Sequence, residues 1–382
     1  MSKDSLKVLT IVGTRPDTIK MAPVLFELMS RTNIQSVLCG SGQHQEMLKQ
    51  ALDIFGLLPD VDLRVMTQNQ KLKTLTSKLI SAIDGVITAF KPDIVMVHGD
   101  TTTAFCGALT SFYNQIPVVH VEAGLRTHDV LEPFPEEFNR QSIARIADLN
   151  LAPTKLASEN LQLEGINKER IIVTGNTVID SLNLMVSRIN QDGQIQNKIS
   201  VSFKKYFDFD YTSSKFVLIT MHRRENVGNG VASVCEAIST ISSKFPQIKF
   251  VFPVHLNPAV SKSVHAMLGN VSNVYLISPL PYDEFVALLS KSLFIITDSG
   301  GIQEESVSLG KRALVTRNHT ERNEGVENGL LEIVATDSKK ISEIATNIIL
   351  NPSKDNVPIN NPYGSTGISK NIVDELLIRY LK

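Results

Sequence analysis

Residues 293–306 read LFIITDSGGIQEES, in which an apolar run meets a turn of small residues and then a helix-like segment. At such a junction between a buried strand and a helix, free backbone N–H groups and the helix dipole favour an anion. The glycines let a ligand approach the backbone closely. Glu304 and Glu305 stand within what we expect to be the first helical turn. The stretch predicts a strand–turn–helix unit of an α/β fold.

Two interpretations of this stretch remain open. In the first it is a plain tight turn, and the two acids only complement the helix dipole. In the second, a phosphate binds at Ser299, Gly300 and Gly301, while Glu305 accepts hydrogen bonds from a ribose diol. The second interpretation specifies a nucleotide rather than a free phosphate.

Short β-branched runs like this one recur along the whole chain. They are KVLTIVG, QSVLCG, PDIVMVHGD, IPVVHVEAG, DLNLAP and RIIVTGN in the first half, and KFVLITMH, IKFVFPVH, NVYLISP, LFIITDSG, ALVT and LEIVA in the second. Continuous apolar runs that alternate with helical segments indicate parallel strands buried on both faces. The chain therefore belongs to the α/β class.

About a dozen strands are too many for one sheet, so we expect two doubly wound domains. The largely polar stretch 190–214 lacks a clear strand pattern and marks their boundary, which gives domains of residues 1–190 and 191–367. Such folds bind ligands at the carboxyl ends of their strands, and two of them predict a site in the cleft between the domains.

The composition excludes several classes of function. Lys and Arg together number 38 against 39 Asp and Glu, so no overall field indicates nucleic acid or an anionic membrane as a partner. Three scattered cysteines argue against a disulfide framework and for a reducing compartment. With no signal peptide or membrane span in the sequence, we predict a cytoplasmic location.

Acidic residues and histidines follow two of the predicted strands. His98 and Asp100 share one face of the chain, and so do His120 and Glu122, because side chains alternate along a strand. These residues could ligate a divalent metal, act as an acid–base pair, or serve only in packing. The segment PFPEEFNR adds Glu136, Glu137 and Arg140 at the start of a predicted helix, where a carboxylate could also be a simple cap.

Basic residues follow the first strand of each predicted domain. Arg15 and Lys20 lie in GTRPDTIK, and His222 and Arg223 lie in MHRREN. Arginine can bind a diphosphate through two hydrogen bonds, although solvated loop charges are the plainer interpretation. Gln43 and His44, in GSGQHQEM, form a weaker pattern on the loop after the second strand.

These segments together closely resemble the non-hydrolysing UDP-N-acetylglucosamine 2-epimerases. The resemblance runs nearly end to end through GTRPDTIKMAPV, GQHQEM, HGDTTTA, HVEAGLRT, PFPEEFNR, TGNTVID, MHRREN, PVHLNP, TDSGGIQEES, LGK and TERNEG. It implies a GT-B-like fold of two Rossmann-like domains with the active site in the interdomain cleft, and a C-terminal helix, 368–382, that packs back on the first domain. It also implies a cytoplasmic homodimer that needs no cofactor and no metal.

The resemblance also implies roles for individual residues. The family's catalytic positions correspond to Asp100, Glu122, Glu136 and His222. Its diphosphate contacts correspond to Arg15, His222, Ser299, Gly300 and Gly301. Its ribose contact corresponds to Glu305, its uracil contact to Phe285, and two further site positions to Lys20 and Arg140. The region in which some members bind a second nucleotide corresponds to Gln43, Glu46, Arg223 and His255. His44 lies beside this last region. Asn69 stands where regulated members can have arginine, and Glu46 stands where some have glutamine. Because a cation is lost and an anion gained beside a diphosphate, we expect weaker binding of an activating second nucleotide.

The reaction implied by the resemblance is the reversible conversion of UDP-N-acetylglucosamine to UDP-N-acetylmannosamine for surface polysaccharides. UDP leaves, 2-acetamidoglucal forms, and UDP returns after C2 is protonated from the other face. The sequence leaves open which carboxylate is the acid and which the base. The alternatives are a hydrolysing epimerase, an epimerase for a related UDP-2-acetamido sugar, a GT-B glycosyltransferase, an inactive UDP-sugar sensor and a metal-dependent hydrolase.

Overall fold

The computed structural model describes residues 4–43, 45–67, 70–221, 228–318, 320, 322–352 and 361–381. The chain forms two compact units, one comprising Met1–Ser181 and Tyr363–Lys382, the other Leu182–Pro362. The units divide within a helix, whereas the sequence places the boundary after Asn190. In the described ranges, no helix is both long and apolar enough to cross a membrane.

The first unit contains a parallel sheet of seven strands with helices between them. Its elements are β1 (Leu6–Val12), α1 (Arg15–Ser30), β2 (Ile34–Gly40), α2 (Gln45–Phe55), β3 (Val61–Asp62), α3 (Leu72–Phe90), β4 (Ile94–His98), α4 (Thr102–Tyr113), β5 (Val118–Val121), α5 (Glu136–Ile146), β6 (Leu149–Ala152), α6 (Lys155–Leu163), a short 3-10 turn (Lys168–Arg170), β7 (Ile171–Val173) and the start of α7 (Val178–Gln191). The strand order is β3-β2-β1-β4-β5-β6-β7.

The second unit repeats this plan with a parallel sheet of six strands. Its elements are the rest of α7, then α8 (Gly193–Phe203), β8 (Phe216–Thr220), α9 (Asn229–Lys244), β9 (Lys249–Pro253), α10 (Pro258–Leu268), β10 (Val274–Ile277), α11 (Tyr282–Lys291), β11 (Ile295–Thr297), α12 (Gly300–Ser308), β12 (Ala313–Val315), α13 (Asn323–Glu327), β13 (Leu331–Ile333) and α14 (Ser338–Leu350). The strand order is β10-β9-β8-β11-β12-β13.

The predicted α/β class with two doubly wound, Rossmann-like sheets is confirmed. Each apolar run identified in the sequence coincides with one strand, and the central strands β4 and β8 are buried along their whole length. The edge strand β3 was not predicted. It pairs with β2 through only two residues, Val61 and Asp62, which is too short for a recognisable pattern.

The strand order explains where the polar segments identified in the sequence lie in each sheet. In each unit the order in which strands are added to the sheet reverses beside its first strand. The reversal lies between β1 and β4 in the first unit and between β8 and β11 in the second. Ligands of doubly wound folds bind where the strand order reverses, at the carboxyl ends. GTRP follows β1 and HGDT follows β4, while TDSGG follows β11. The fold therefore directs these turns toward one edge of each sheet.

The last helix, α15 (Ile368–Tyr380), packs within the first unit. Its apolar face is buried, with Ile372 and Leu376 fully covered. Asp180, in the first turn of α7, accepts hydrogen bonds from Gly367 N at 2.8 Å and Ser369 N at 2.6 Å. A carboxylate at this position satisfies N–H groups that a helix start leaves unpaired.

Candidate active site

Asp100 lies just beyond β4 and is held by α5. Gly99 turns the chain with φ 64°, and Thr101 caps α4 by accepting from Ala104 N at 3.1 Å. Arg140 Nη2 contacts Asp100 Oδ2 at 2.8 Å. The Asp100 side chain is 28% exposed, so a ligand can reach it while the arginine keeps its charge compensated.

The two adjacent glutamates of PFPEEFNR have different environments. Glu137 is fully buried and accepts from Thr127 N at 3.1 Å and from Gln141 Nε2 at 2.8 Å. It also lies 3.5 Å from Arg140 Nη1, so it orients the arginine that holds Asp100. Glu136 is the first residue of α5 and is half-buried. Of the pair, Glu136 is the one a ligand can approach.

Glu122 follows β5 in an unusual backbone conformation. Its φ is 63°, a left-handed value that non-glycine residues rarely adopt and that clusters at functional sites. Its carboxylate Oε2 forms an ion pair with Lys20 Nζ and accepts from Asn176 Nδ2 at 2.9 Å. Lys20 is only 7% exposed. A buried lysine and carboxylate are stable only as a pair, because each compensates the other's charge.

Two buried histidines lie behind these acids. His98 Nε2 is 3.8 Å from Glu122 Oε2, and His120 Nε2 lies 2.7 Å from the carbonyl oxygen of Gly99. Burial lowers the pKa of both imidazoles to about 4, since the charged form would lose its hydration. Both histidines are therefore neutral near pH 7.

The turn after β1 is organised by Asp17. The Asp17 carboxylate accepts hydrogen bonds from Gly13 N at 2.9 Å, Thr14 N at 2.8 Å and Thr18 N at 2.8 Å. Burial raises the pKa of Asp17 to about 6, although these bonds oppose the rise. A Cβ on Gly13 would lie 2.2 Å from Thr103 Oγ1, so the turn packs tightly against α4. Arg15, half-buried at the start of α1, projects from this fixed turn.

Gln43 has polar partners inside the protein. Its Oε1 accepts from Thr103 Oγ1 at 2.8 Å and Thr103 N at 3.2 Å, which joins the loop after β2 to α4. Glu46, in the first turn of α2, is exposed. His44, Asn69, His222 and Arg223 lie outside the described residues.

The turn after β11 forms the corresponding part of the second unit. Ser299 precedes α12, which begins at Gly300, so the expectation that Glu304 and Glu305 lie in the first turn is wrong. Both acids are buried in the second turn, because the helix starts at the glycines rather than after them. Glu304 Oε1 accepts from Arg322 Nε at 3.1 Å, and Glu305 Oε1 accepts from the Tyr282 hydroxyl at 2.9 Å.

Arg322 is a cation beside this turn that the sequence analysis did not single out. A Cβ on Gly300 would lie 2.7 Å from its guanidinium carbon. Glu304 holds the Arg322 side chain in this position, so Glu304 has a structural role. The signal was present in the TERNEG segment, but nothing in that segment alone indicates which residue reaches α12.

The other two positions assigned to the second unit lie on different elements. Phe285 is half-buried on α11, one turn from Tyr282. His255 is exposed after β9, and its Nδ1 accepts from Asn257 N at 3.1 Å. Among the residues that the structure describes, no group of three or more His, Cys, Asp or Glu side chains is arranged to hold a metal ion.

The low pKa of His98 predicts how acid affects stability. The imidazole has a pKa near 6.5 when unfolded and about 4 when folded, so the unfolded chain binds the extra proton between these values. Stability is therefore lost as pH falls through this window. Between pH 7 and pH 5, we expect the wild type to lose about 2 kcal/mol more unfolding free energy than His98→Asn. Denaturant unfolding at both pH values measures the difference.

The control is His128→Asn, which removes an exposed histidine of the same unit. It should show the wild-type loss of unfolding free energy. An equal loss in the wild type and in His98→Asn would contradict the assignment of His98 as a buried neutral imidazole.

Comparison with known proteins shows the family of the chain. Residues 27–377 match the family model described as UDP-N-acetylglucosamine 2-epimerase. The chain is 46% identical over 373 residues to the UDP-N-acetylglucosamine 2-epimerase of Campylobacter jejuni, covering 97% of each chain. It is 45% identical to that of Bacillus subtilis, covering 98% of this chain and 96% of the relative.

A solved structure supports the same assignment. The UDP-GlcNAc 2-epimerase from Neisseria meningitidis, bound to UDP-GlcNAc, superposes with a TM-score of 0.91 at 44% identity, covering 98% of this chain and all of that one. Both the family model and the relatives extend over nearly the full length, so both units are included. The chain belongs to the UDP-N-acetylglucosamine 2-epimerase family.

Proposed function

We propose that the protein reversibly inverts C2 of UDP-N-acetylglucosamine by eliminating and re-adding UDP, which gives UDP-N-acetylmannosamine. Its family makes it an isomerase of nucleotide sugars. One observation carries the mechanism. Asp100 and Glu122 follow the neighbouring strands β4 and β5, and each is paired with a cation supplied by a different helix.

The chemistry explains why UDP must leave first. The hydrogen on C2 is not adjacent to a carbonyl group, so a carboxylate cannot remove it directly at a useful rate. Breaking the bond between C1 and the phosphate oxygen builds positive charge at C1, which acidifies the neighbouring hydrogen. Removal of that hydrogen leaves 2-acetamidoglucal and UDP. A proton delivered to the opposite face of C2, followed by return of UDP to C1, completes the inversion.

The first unit supplies the acid–base groups in this proposal. Arg140 and Lys20 stabilise Asp100 and Glu122 as anions, which suits groups that accept a proton. Glu136 lies on α5, four residues before Arg140, and so belongs to the same helix that holds Asp100. We assign proton transfer at C2 to these three carboxylates.

The second unit supplies most of the residues that bind UDP in this proposal. The N-terminus of α12 offers the backbone N–H groups of Gly300 and Gly301 to the diphosphate. Ser299 precedes them, and its own N–H donates to Thr297 Oγ1 at 3.0 Å, so we assign its side chain rather than its N–H to the diphosphate. Arg322 adds a positive charge beside Gly300. Stabilising the departing anion is the other demand of the reaction. The Tyr282 hydroxyl fixes the direction of Glu305, which we assign to the ribose, and Phe285 on the same helix as Tyr282 is assigned to the uracil ring.

Arg15 and His222 complete the diphosphate contacts in this proposal. Gln43, Glu46, Arg223 and His255 are assigned to the region of a second nucleotide, and His44 is assigned to substrate binding. We also propose a cytoplasmic homodimer that supplies surface polysaccharide synthesis. The proposed mechanism therefore draws on residues of both units.

Exchange of the C2 hydrogen with solvent tests this mechanism. In deuterium oxide with UDP-N-acetylglucosamine, we expect deuterium at C2 of both epimers, because the hydrogen removed is replaced from solvent. Proton NMR follows the loss of the C2 signal. Glu122→Gln should lower the exchange rate by at least about a hundredfold, the lower end of what a general acid–base group contributes.

The matched control is Glu159→Gln, which changes an exposed glutamate of α6 and should exchange at the wild-type rate. Epimerisation without deuterium at C2 would contradict the elimination. Accumulation of free N-acetylmannosamine and UDP would identify the hydrolysing reaction instead.

Gly301→Ala tests the diphosphate site. Among the residues that the structure describes, no atom outside the neighbouring backbone of α12 lies within 4 Å of a Cβ at Gly301, so the variant should fold with an unchanged melting temperature. The added methyl group would occupy the space through which the phosphate approaches the backbone. We expect KM for UDP-N-acetylglucosamine to rise about tenfold or more, a loss near 1.4 kcal/mol.

Gly193→Ala serves as the control, since Gly193 also has open space around it and starts α8 rather than α12. Its KM should equal that of the wild type. Wild-type KM in Gly301→Ala would show that the diphosphate does not bind at this turn.

A further inference from the structure

Asn176 lies in the loop between β7 and α7, within the TGNTVID segment to which no role has been assigned. It is 2% exposed. Its Oδ1 accepts from Val178 N at 3.0 Å, and its Nδ2 donates to Glu122 Oε2 at 2.9 Å. Because the N–H of Val178 requires an oxygen, the amide nitrogen must face the carboxylate. The amide is thus fixed in the orientation that stabilises an ionised Glu122.

The loop around Asn176 is in turn held by the C-terminal segment. Asn176 N donates to the carbonyl oxygen of Tyr363 at 2.8 Å, and Tyr363 is buried. A Cβ on Gly175 would lie 2.8 Å from Ile368 Cδ1, so backbone and side chain pack without space between them. Asp180 binds the N–H groups of Gly367 and Ser369. Residues 363–369 therefore fix the position of Asn176.

The groups around Glu122 have different effects on its carboxylate. Lys20 supplies a compensating charge, but an ammonium group is a point charge on a flexible stem and sets no direction. His98 and His120, the titratable neighbours from β4 and β5, are neutral near pH 7. Asn176 is a neutral donor with a fixed direction, so its hydrogen bond to Oε2 sets the orientation of the Glu122 carboxylate.

We propose that Asn176 is a positioning residue for proton transfer at C2: it keeps Glu122 ionised and aimed, and residues 363–369 keep Asn176 in place. The inference rests on the proposed function, in which Glu122 contacts the sugar. It connects the end of the chain, which contacts neither substrate nor reacting atoms in this scheme, to the rate of the chemical step.

Asn176→Ala tests the hydrogen bond to Glu122. We expect kcat to fall about tenfold to a hundredfold, as for loss of a hydrogen bond to a charged group, with KM within about twofold of wild type. The acidic limb of the kcat–pH profile should move to higher pH, because the ionised carboxylate has lost a donor. A purely structural role for Asn176 would lower stability without moving this limb.

Asn176→Asp distinguishes the effect of Asn176 on the Glu122 carboxylate from its effect on the stability of the fold. It retains an acceptor for Val178 N but places a second carboxylate beside Glu122. We expect very low kcat at neutral pH and partial recovery as pH falls, because the protonated acid can again donate. Asp180→Ala should also lower kcat several-fold with KM unchanged. Asp374→Asn, which removes an ion pair of α15 with Arg31 at the protein surface, should leave kcat unchanged.

The outcomes distinguish the inference from the proposed function. If the wild type does not epimerise UDP-N-acetylglucosamine, the proposed function fails. If the wild type is active and Glu122→Gln is not, but both Asn176 variants retain wild-type kcat and pH profiles, the positioning role is overturned and the proposed function stands. Wild-type kcat in Asp180→Ala would overturn the part assigned to residues 363–369.

Discussion

The ion pair between Lys20 and Glu122 is the interaction on which the first unit's site depends. Lys20 and the Glu122 side chain are almost entirely removed from water. Leaving either charge without the other would cost several kcal/mol. Helix α1 and the end of β5 must therefore meet at this point. The left-handed backbone of Glu122 is the local cost of directing its side chain toward the lysine and Asn176.

The same requirement explains how the surrounding elements are joined. Asp17 fixes the turn from which α1 starts, and α1 carries both Arg15 and Lys20. On the other side, Arg140 contacts Asp100 while Glu137 orients the arginine. Two of the three carboxylates of the proposal, Asp100 and Glu122, are thus each paired with a buried cation. This arrangement keeps Asp100 and Glu122 charged, which is the form of a carboxylate that accepts a proton.

The sequence predicted the architecture well because buried parallel strands leave continuous apolar runs. It also located the polar residues at the strand ends, since the end of each run is visible. It could not show that Glu304 and Glu305 lie in the second turn of α12, because that depends on where the helix begins. Asn176 was missed for a different reason. An amide in a loop gives no signal until the fold brings Glu122 within 2.9 Å.

The central claim is that the bond between C1 and the diphosphate breaks before C2 is inverted. It is tested most directly with UDP-N-acetylglucosamine that carries a heavy-oxygen label in the bridge between C1 and the β-phosphorus. The account predicts that, during turnover, the label moves into the non-bridging positions of the β-phosphate, because UDP released from C1 can rotate before it returns. Phosphorus NMR detects this movement. Formation of the epimer with the label still entirely in the bridge would contradict the account.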